Sequence, residues 1–156
     1  MDSGSRCACP EEPPNRKRQT RGNSENREKQ MYEVTIKRTF SAAHSLKEIG
    51  GKCEKLHGHN FTVEVSVAAD QLDSEGLVVD FRILKDWTER TIRELDHKYL
   101  NEIGIFQGKN PSSENIANYI FNQLSAKAAA PGIRVTRVTV WESESAKVSY
   151  TGPGHD

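Results

Sequence analysis

Alternate residues of an extended strand project to the same side, so His57-Gly58-His59 places two imidazoles where one ion can meet both, with only a glycine between them. His44 falls in the apolar phase of the alternating segment before it. If those two segments pair, three histidines converge on one buried face. Three neutral imidazoles suit Zn2+ and leave a coordination position free for water or substrate. Satisfied core histidines are the plainer reading, which fits a single histidine better than three in phase. Cys53 stands four residues before His57. It can complete a closed structural zinc site of one cysteine and three histidines, or lie beside an open site as a thiolate whose pKa nearby positive charge lowers.

Further residues carry candidate chemistry outside that cluster. Asp96-His97 is expected at the end of a helix, where a histidine can titrate near neutrality and serve as general acid or base, or can simply cap the helix and face solvent. Glu142 shares the inward phase of Val138 and Val140, a carboxylate where the pattern calls for an apolar side chain. A buried carboxylate needs partners. These are either an intramolecular arginine or a ligand with two parallel N–H donors, such as the amino-pyrimidinone edge of a pterin or guanine. Ser112 and Ser113 read as a helix N-cap and its neighbour, with backbone N–H groups that can also meet a polar ligand edge.

The elements that must position these groups follow from periodicity. Tyr32, Val34, Ile36, Phe40, Ala42 and His44 alternate with polar residues, and His57, His59, Phe61, Val63, Val65 and Val67 do the same, so both segments read as half-buried strands joined by a loop through Gly50-Gly51 to Cys53. A turn at Asp73–Gly76 and a short strand at Leu77-Val78-Val79 precede Asp80, a plausible N-cap for a helix carrying Phe81, Leu84, Trp87, Thr91 and Leu95 and ending near Asp96 to Tyr99. Pro111-Ser112-Ser113-Glu114 opens a second helix with Ile116, Tyr119, Ile120 and Leu124 on its apolar face, stopped by Pro131-Gly132. A long strand through Val138, Val140 and Glu142 follows, with Val148 to Tyr150 as its hairpin partner. Without a βαβ repeat, the expected fold is α+β, an antiparallel four-stranded sheet with two helices packed on one face.

Lysine plus arginine and aspartate plus glutamate balance at 22 each, so no global field favours nucleic acid or an anionic membrane surface, and any anionic ligand must be held by local groups. No apolar run approaches the roughly 18 residues of a spanning helix, and the N-terminus has no apolar signal region, so the expected compartment is the cytoplasm. Residues 1–30 contain no aliphatic residue larger than alanine after Met1 and read as a disordered polar tail, with residues 31–156 as one domain. The three cysteines are a poor disulfide framework, since Cys7 and Cys9 lie together in that tail with no further ligand nearby to complete a metal site.

Five motifs in order resemble one family: Phe40-Ser41-Ala42-Ala43-His44, Cys53-Glu54-Lys55-Leu56-His57-Gly58-His59-Asn60, Leu95-Asp96-His97-Lys98-Tyr99-Leu100-Asn101, Asn110-Pro111-Ser112-Ser113-Glu114-Asn115 and Trp141-Glu142. Together, over about Met31 to Tyr150, they are similar to the 6-pyruvoyl- and 6-carboxy-tetrahydropterin synthases of the tunnelling fold. The resemblance implies that His44, His57 and His59 hold zinc, that Cys53 is a catalytic thiol, and that Asp96 and His97 form an acid/base pair. It further implies that Glu142 anchors the pterin ring, with Ser112-Ser113 lining the pocket in place of the family's more usual Pro-Thr. The Cys-x-x-x-His-Gly-His spacing resembles the carboxy branch that feeds 7-deazapurine (queuosine) synthesis. The implied substrate is 7,8-dihydroneopterin triphosphate, the implied by-products are acetaldehyde and triphosphate, and no redox cofactor is needed. The family assembles as a hexamer of two stacked trimers, with sites drawing residues from neighbouring subunits. The competing expectations are the pyruvoyl product on the same fold, and a non-catalytic zinc-stabilised module in which Cys53 is the fourth ligand.

Overall fold

The computed structural model describes residues 31–128 and 132–153. The polar tail with Cys7 and Cys9, and Pro131 of the expected helix stop, lie outside the described residues. Two long strands, β1 (Tyr32–His44) and β2 (His57–Ala69), pair antiparallel over their whole length, bringing His44 opposite His57 and Ala42 opposite His59. The alternation read from the sequence is what builds them: Ile36, Phe40, Ala42, Phe61, Val63 and Val65 are buried on one face. The opposite face carries polar cross-strand pairs, Thr35 with Ser66 and Ser41 with Asn60.

Helix α1 (Phe81–Ile92) starts at Asp80, whose side chain accepts from the Arg82 N–H. It runs on through tight turns to His97, a non-glycine residue in the left-handed region at φ 55°. Leu84, Thr88, Thr91 and Ile92 form its buried stripe, whereas Phe81, expected inward, is exposed at the first turn. After the two-residue strand β3 (Lys98–Tyr99) comes helix α2 (Ser113–Lys127), buried through Ile116, Ala117, Ile120, Phe121 and Leu124. Strands β4 (Ile133–Ser143) and β5 (Ala146–Tyr150) form the closing hairpin. Both helices cover the apolar face, α1 against β1 and α2 against β4 and β5. None of the described helices is long and apolar enough to cross a membrane.

Two expectations are corrected. The sheet has five strands, in order β3-β1-β2-β4-β5, rather than four, and the fifth is parallel to β1 through Ala42–Lys98 and Ala43–Tyr99. A two-residue strand leaves no periodicity to read. Leu77-Val78-Val79 is not a strand: Asp73 Oδ1 accepts from the Glu75 and Leu77 N–H groups, so a side chain takes up backbone donors a ladder would use. Val78 and Val79 are nonetheless buried.

One irregularity sets the direction of a functional side chain. Ser66 pairs with Arg137 and Val67 with Val135, so Thr136 is an extra residue in β4, a β-bulge. Val135 lies in the core on one side of it and Val138 and Val140 on the other, and Glu142, where the pairing with β5 shifts register between Trp141 and Ser143, follows the second phase.

Candidate metal and substrate site

The last residue of β1, the first of β2, the end of β4 and the first turn of α2 meet at one end of the helix-covered face. There His44, His57, His59 and Glu142 each bring a potential ligand atom within 4.8 Å of the others. The chemistry of this group is fixed by its neighbours. His44 Nδ1 donates to the Pro111 carbonyl at 2.8 Å and His57 Nδ1 to the Lys55 carbonyl at 2.7 Å. Carbonyls only accept, so both Nδ1 atoms carry protons, and in the neutral rings both Nε2 atoms present lone pairs. Those two Nε2 atoms face each other at 3.1 Å. Two acceptors aimed at one point need a cation or a proton between them.

His59 completes the set. Its Nε2 is buried without a hydrogen bond among the described residues, 3.3 Å from Glu142 Oε1. Burial holds the His59 pKa below the usual imidazole value; Glu142 opposes that effect, and His44 and His57 reinforce it. The ring is thus kept in the neutral, ligating form. Tetrahedral bonds of about 2.0–2.1 Å would separate ligand atoms by roughly 3.3 Å, so the 3.1 and 3.3 Å approaches fit a metal ion.

Glu142 Oε2 accepts from the Ser113 hydroxyl at 2.7 Å. The arginine partner weighed for it from the sequence is not made: among the described residues its charged neighbour is His59. Ser112 is the N-cap of α2, accepting from the Asn115 N–H.

Asp96 and His97 sit on the outer edge of β1 rather than in the cluster. Ser41 N–H donates to Asp96 Oδ1 at 2.9 Å, and the His97 N–H returns a bond to the Ser41 carbonyl. The Ser41 bond, reinforced by His97 Nδ1 at 2.9 Å, holds the Asp96 carboxyl below the usual range. His97 is exposed, on the rim of an open hollow of about 500 Å3 that His59, Gly58 and Tyr99 also line. His97 and one imidazole of the cluster therefore share a cavity, whereas Asp96 lines a separate hollow with Arg38 and Glu89. Cys53 lies in an exposed 3₁₀ turn (Gly51–Glu54) and is not among the four clustered groups, so within one chain it is no fourth ligand.

Sequence reading missed the groups that hold the site's frame. Asn101 clamps Ser45 through both its backbone N–H and carbonyl, and Asn110 clamps Lys47 in the same way, fixing the chain as it leaves His44. Both asparagines stand inside motifs quoted above, yet an amide closing on backbone has no signature in residue spacing.

The model of the family described as 6-pyruvoyl tetrahydropterin synthase matches residues 33–153. The chain belongs to that family. As a member it is an enzyme, a lyase. The chain is 41% identical over 111 residues to a putative 6-carboxy-5,6,7,8-tetrahydropterin synthase of Archaeoglobus fulgidus, covering 71% of this chain and 88% of the relative. It is 39% identical over 129 residues to the 6-carboxy-5,6,7,8-tetrahydropterin synthase of Synechocystis, covering 79% and 95%. The fold of the chain superposes on the 6-pyruvoyl tetrahydropterin synthase of Caenorhabditis elegans with a TM-score of 0.71 at 26% identity, covering 79% of this chain and 96% of the other.

Proposed function

We propose that the enzyme is a zinc-dependent lyase that converts 7,8-dihydroneopterin triphosphate to 6-carboxy-5,6,7,8-tetrahydropterin, releasing acetaldehyde and triphosphate, in 7-deazapurine (queuosine) synthesis in the cytoplasm. The observation that carries this reading is the pair of carbonyl-oriented imidazoles, His44 and His57, whose lone pairs meet beside His59 and an inward carboxylate. His44, His57 and His59 would hold the zinc ion, which when bound would supply Lewis acidity at the side-chain oxygens of the substrate and so acidify the neighbouring C–H.

The chain's own groups do the rest. Glu142 accepts the two parallel N–H donors of the pterin edge, with the Ser112-Ser113 turn lining the same end. Asp96 orients the His97 ring through Nδ1, leaving Nε2 to exchange a proton over the shared hollow. Cys53, on an exposed turn, is the second proton carrier, and it reaches a site through subunit contact in a hexamer of two stacked trimers. The outer edge of β5 and that of β1 before β3 are unpaired among the described residues, and assembly of the sheets into a barrel would cover both.

A pyruvoyl product is the competing outcome on the same site, and the likeness to the nematode protein keeps it in view. Mass spectrometry of products from 7,8-dihydroneopterin triphosphate separates the two, since only the carboxy branch yields acetaldehyde. Cys53→Ala is expected to keep its zinc while turnover falls roughly 100- to 10,000-fold, the range for a lost acid/base group. Turnover like that of the wild type would remove Cys53 from the reaction, and a pyruvoyl product would move the chain to the other branch.

A further inference from the structure

We propose that Glu142 has a second role: in the resting enzyme its Oε1 is the fourth ligand of the metal held by His44, His57 and His59, and the arriving substrate takes it away. The inference rests on the reading of Glu142 as the ring anchor and adds a state that precedes binding. Three observations carry it. Glu142 Oε1 approaches His59 Nε2 to 3.3 Å, yet that nitrogen is buried and hydrogen-bonded to none of the described residues, so a hydrogen bond does not account for the approach. The four candidate ligand atoms lie within 4.8 Å of one another, close enough for small side-chain shifts to bring them onto one ion. The other carboxylate oxygen, Oε2, is tied at 2.7 Å to Ser113 Oγ, which leaves Oε1 as the single oxygen turned to the histidines.

Charge points the same way. Glu142 is about 29% exposed and has no lysine or arginine within ion-pair distance among the described residues; the titratable group beside it is His59. A divalent cation among the imidazoles would neutralise it. A ring anchor uses both carboxylate oxygens for the two N–H donors, so substrate and metal compete for Oε1. The metal position would therefore open only when a ligand able to satisfy the carboxylate is present.

The test uses the protein loaded with Co2+ in place of zinc, with azide as probe for an open position. Glu142→Ala and the near-isosteric Glu142→Gln are compared with wild type by visible absorption, after far-UV circular dichroism confirms the fold. In the absence of pterin, the d–d bands of both variants should differ from wild type, and azide should bind Glu142→Ala about tenfold or more tightly than it binds wild type. Loss of cobalt from a folded variant also supports ligation. Superimposable cobalt spectra with equal azide affinity in all three proteins would overturn it. Calorimetry with 7,8-dihydroneopterin keeps the two roles separate. Altered cobalt spectra with undiminished pterin affinity would remove the anchor and leave the ligand, whereas unaltered spectra with lost pterin affinity would do the reverse.

Discussion

Asp96 takes a backbone N–H from the sheet before it meets its histidine, and that order decides how it responds to acid. The Ser41 bond and His97 together depress its folded pKa, so its carboxylate adds stability above the unfolded value of about 3.9, and that increment disappears as pH falls through the lower folded value. The side chain is 37% exposed, so solvent screening keeps the effect small. Asp96→Asn retains an acceptor for Ser41 but loses the charge. Its urea midpoint at pH 7 should fall by the equivalent of under about 1 kcal/mol, with the gap from wild type closing as the pH is lowered below about 4. A gap that persists or widens in acid would mean the charge is not what Asp96 contributes. The left-handed φ of 55° at His97 belongs to the same device, since it turns the chain sharply enough for its N–H to reach the Ser41 carbonyl.

At the scale of elements, the parts of the site that were legible in the sequence are those written in strand parity. His44, His57 and His59 fall on the inward phase of regularly paired strands, where parity survives, and Glu142 follows the phase of Val138 and Val140 although a register shift against β5 falls at it. Asp80 and Ser112 were legible because a capping side chain precedes an apolar 3.6-residue repeat. Strand β3 was not, being two residues long, and neither was the carbonyl of Pro111 that orients His44, because a backbone acceptor is the same at every residue. Phe81 was misplaced because helical spacing marks a stripe without saying where its first turn leaves the sheet. Helix α2 gives the stability test. Leu124 is fully buried eleven residues beyond Ser113, about 16 Å along the axis from the site end. Leu124→Ala should cost about 2–5 kcal/mol in chemical unfolding while zinc stoichiometry stays at that of the wild type. Zinc loss in the folded variant would show that the far end of the helix governs the site.

For the molecule as a whole, a metal bound only by the native state joins the stability of the whole sheet to the metal concentration. Removing zinc with a chelator should lower Tm, since saturation at about 100 times Kd adds about 2.7 kcal/mol, and His44→Ala should abolish the difference between chelated and metal-loaded samples. Equal melting curves with and without chelator in the wild type would contradict a metal site at these histidines. The core also depends on a residue well away from the metal site. Thr136, six positions before Glu142 and roughly 20 Å along the strand, is the extra residue that lets Val135 on one side and Val138 and Val140 on the other all face the core. It acts as a parity bit for the chain. Deleting it would force a choice between burying Val135 and burying Val138 with Val140, because a ladder without the bulge can satisfy only one phase. In an alignment of relatives, a one-residue gap between Val135 and Val138 is therefore a change in which side chains reach the core, whereas the same gap in the loop before β4 is only a change of length.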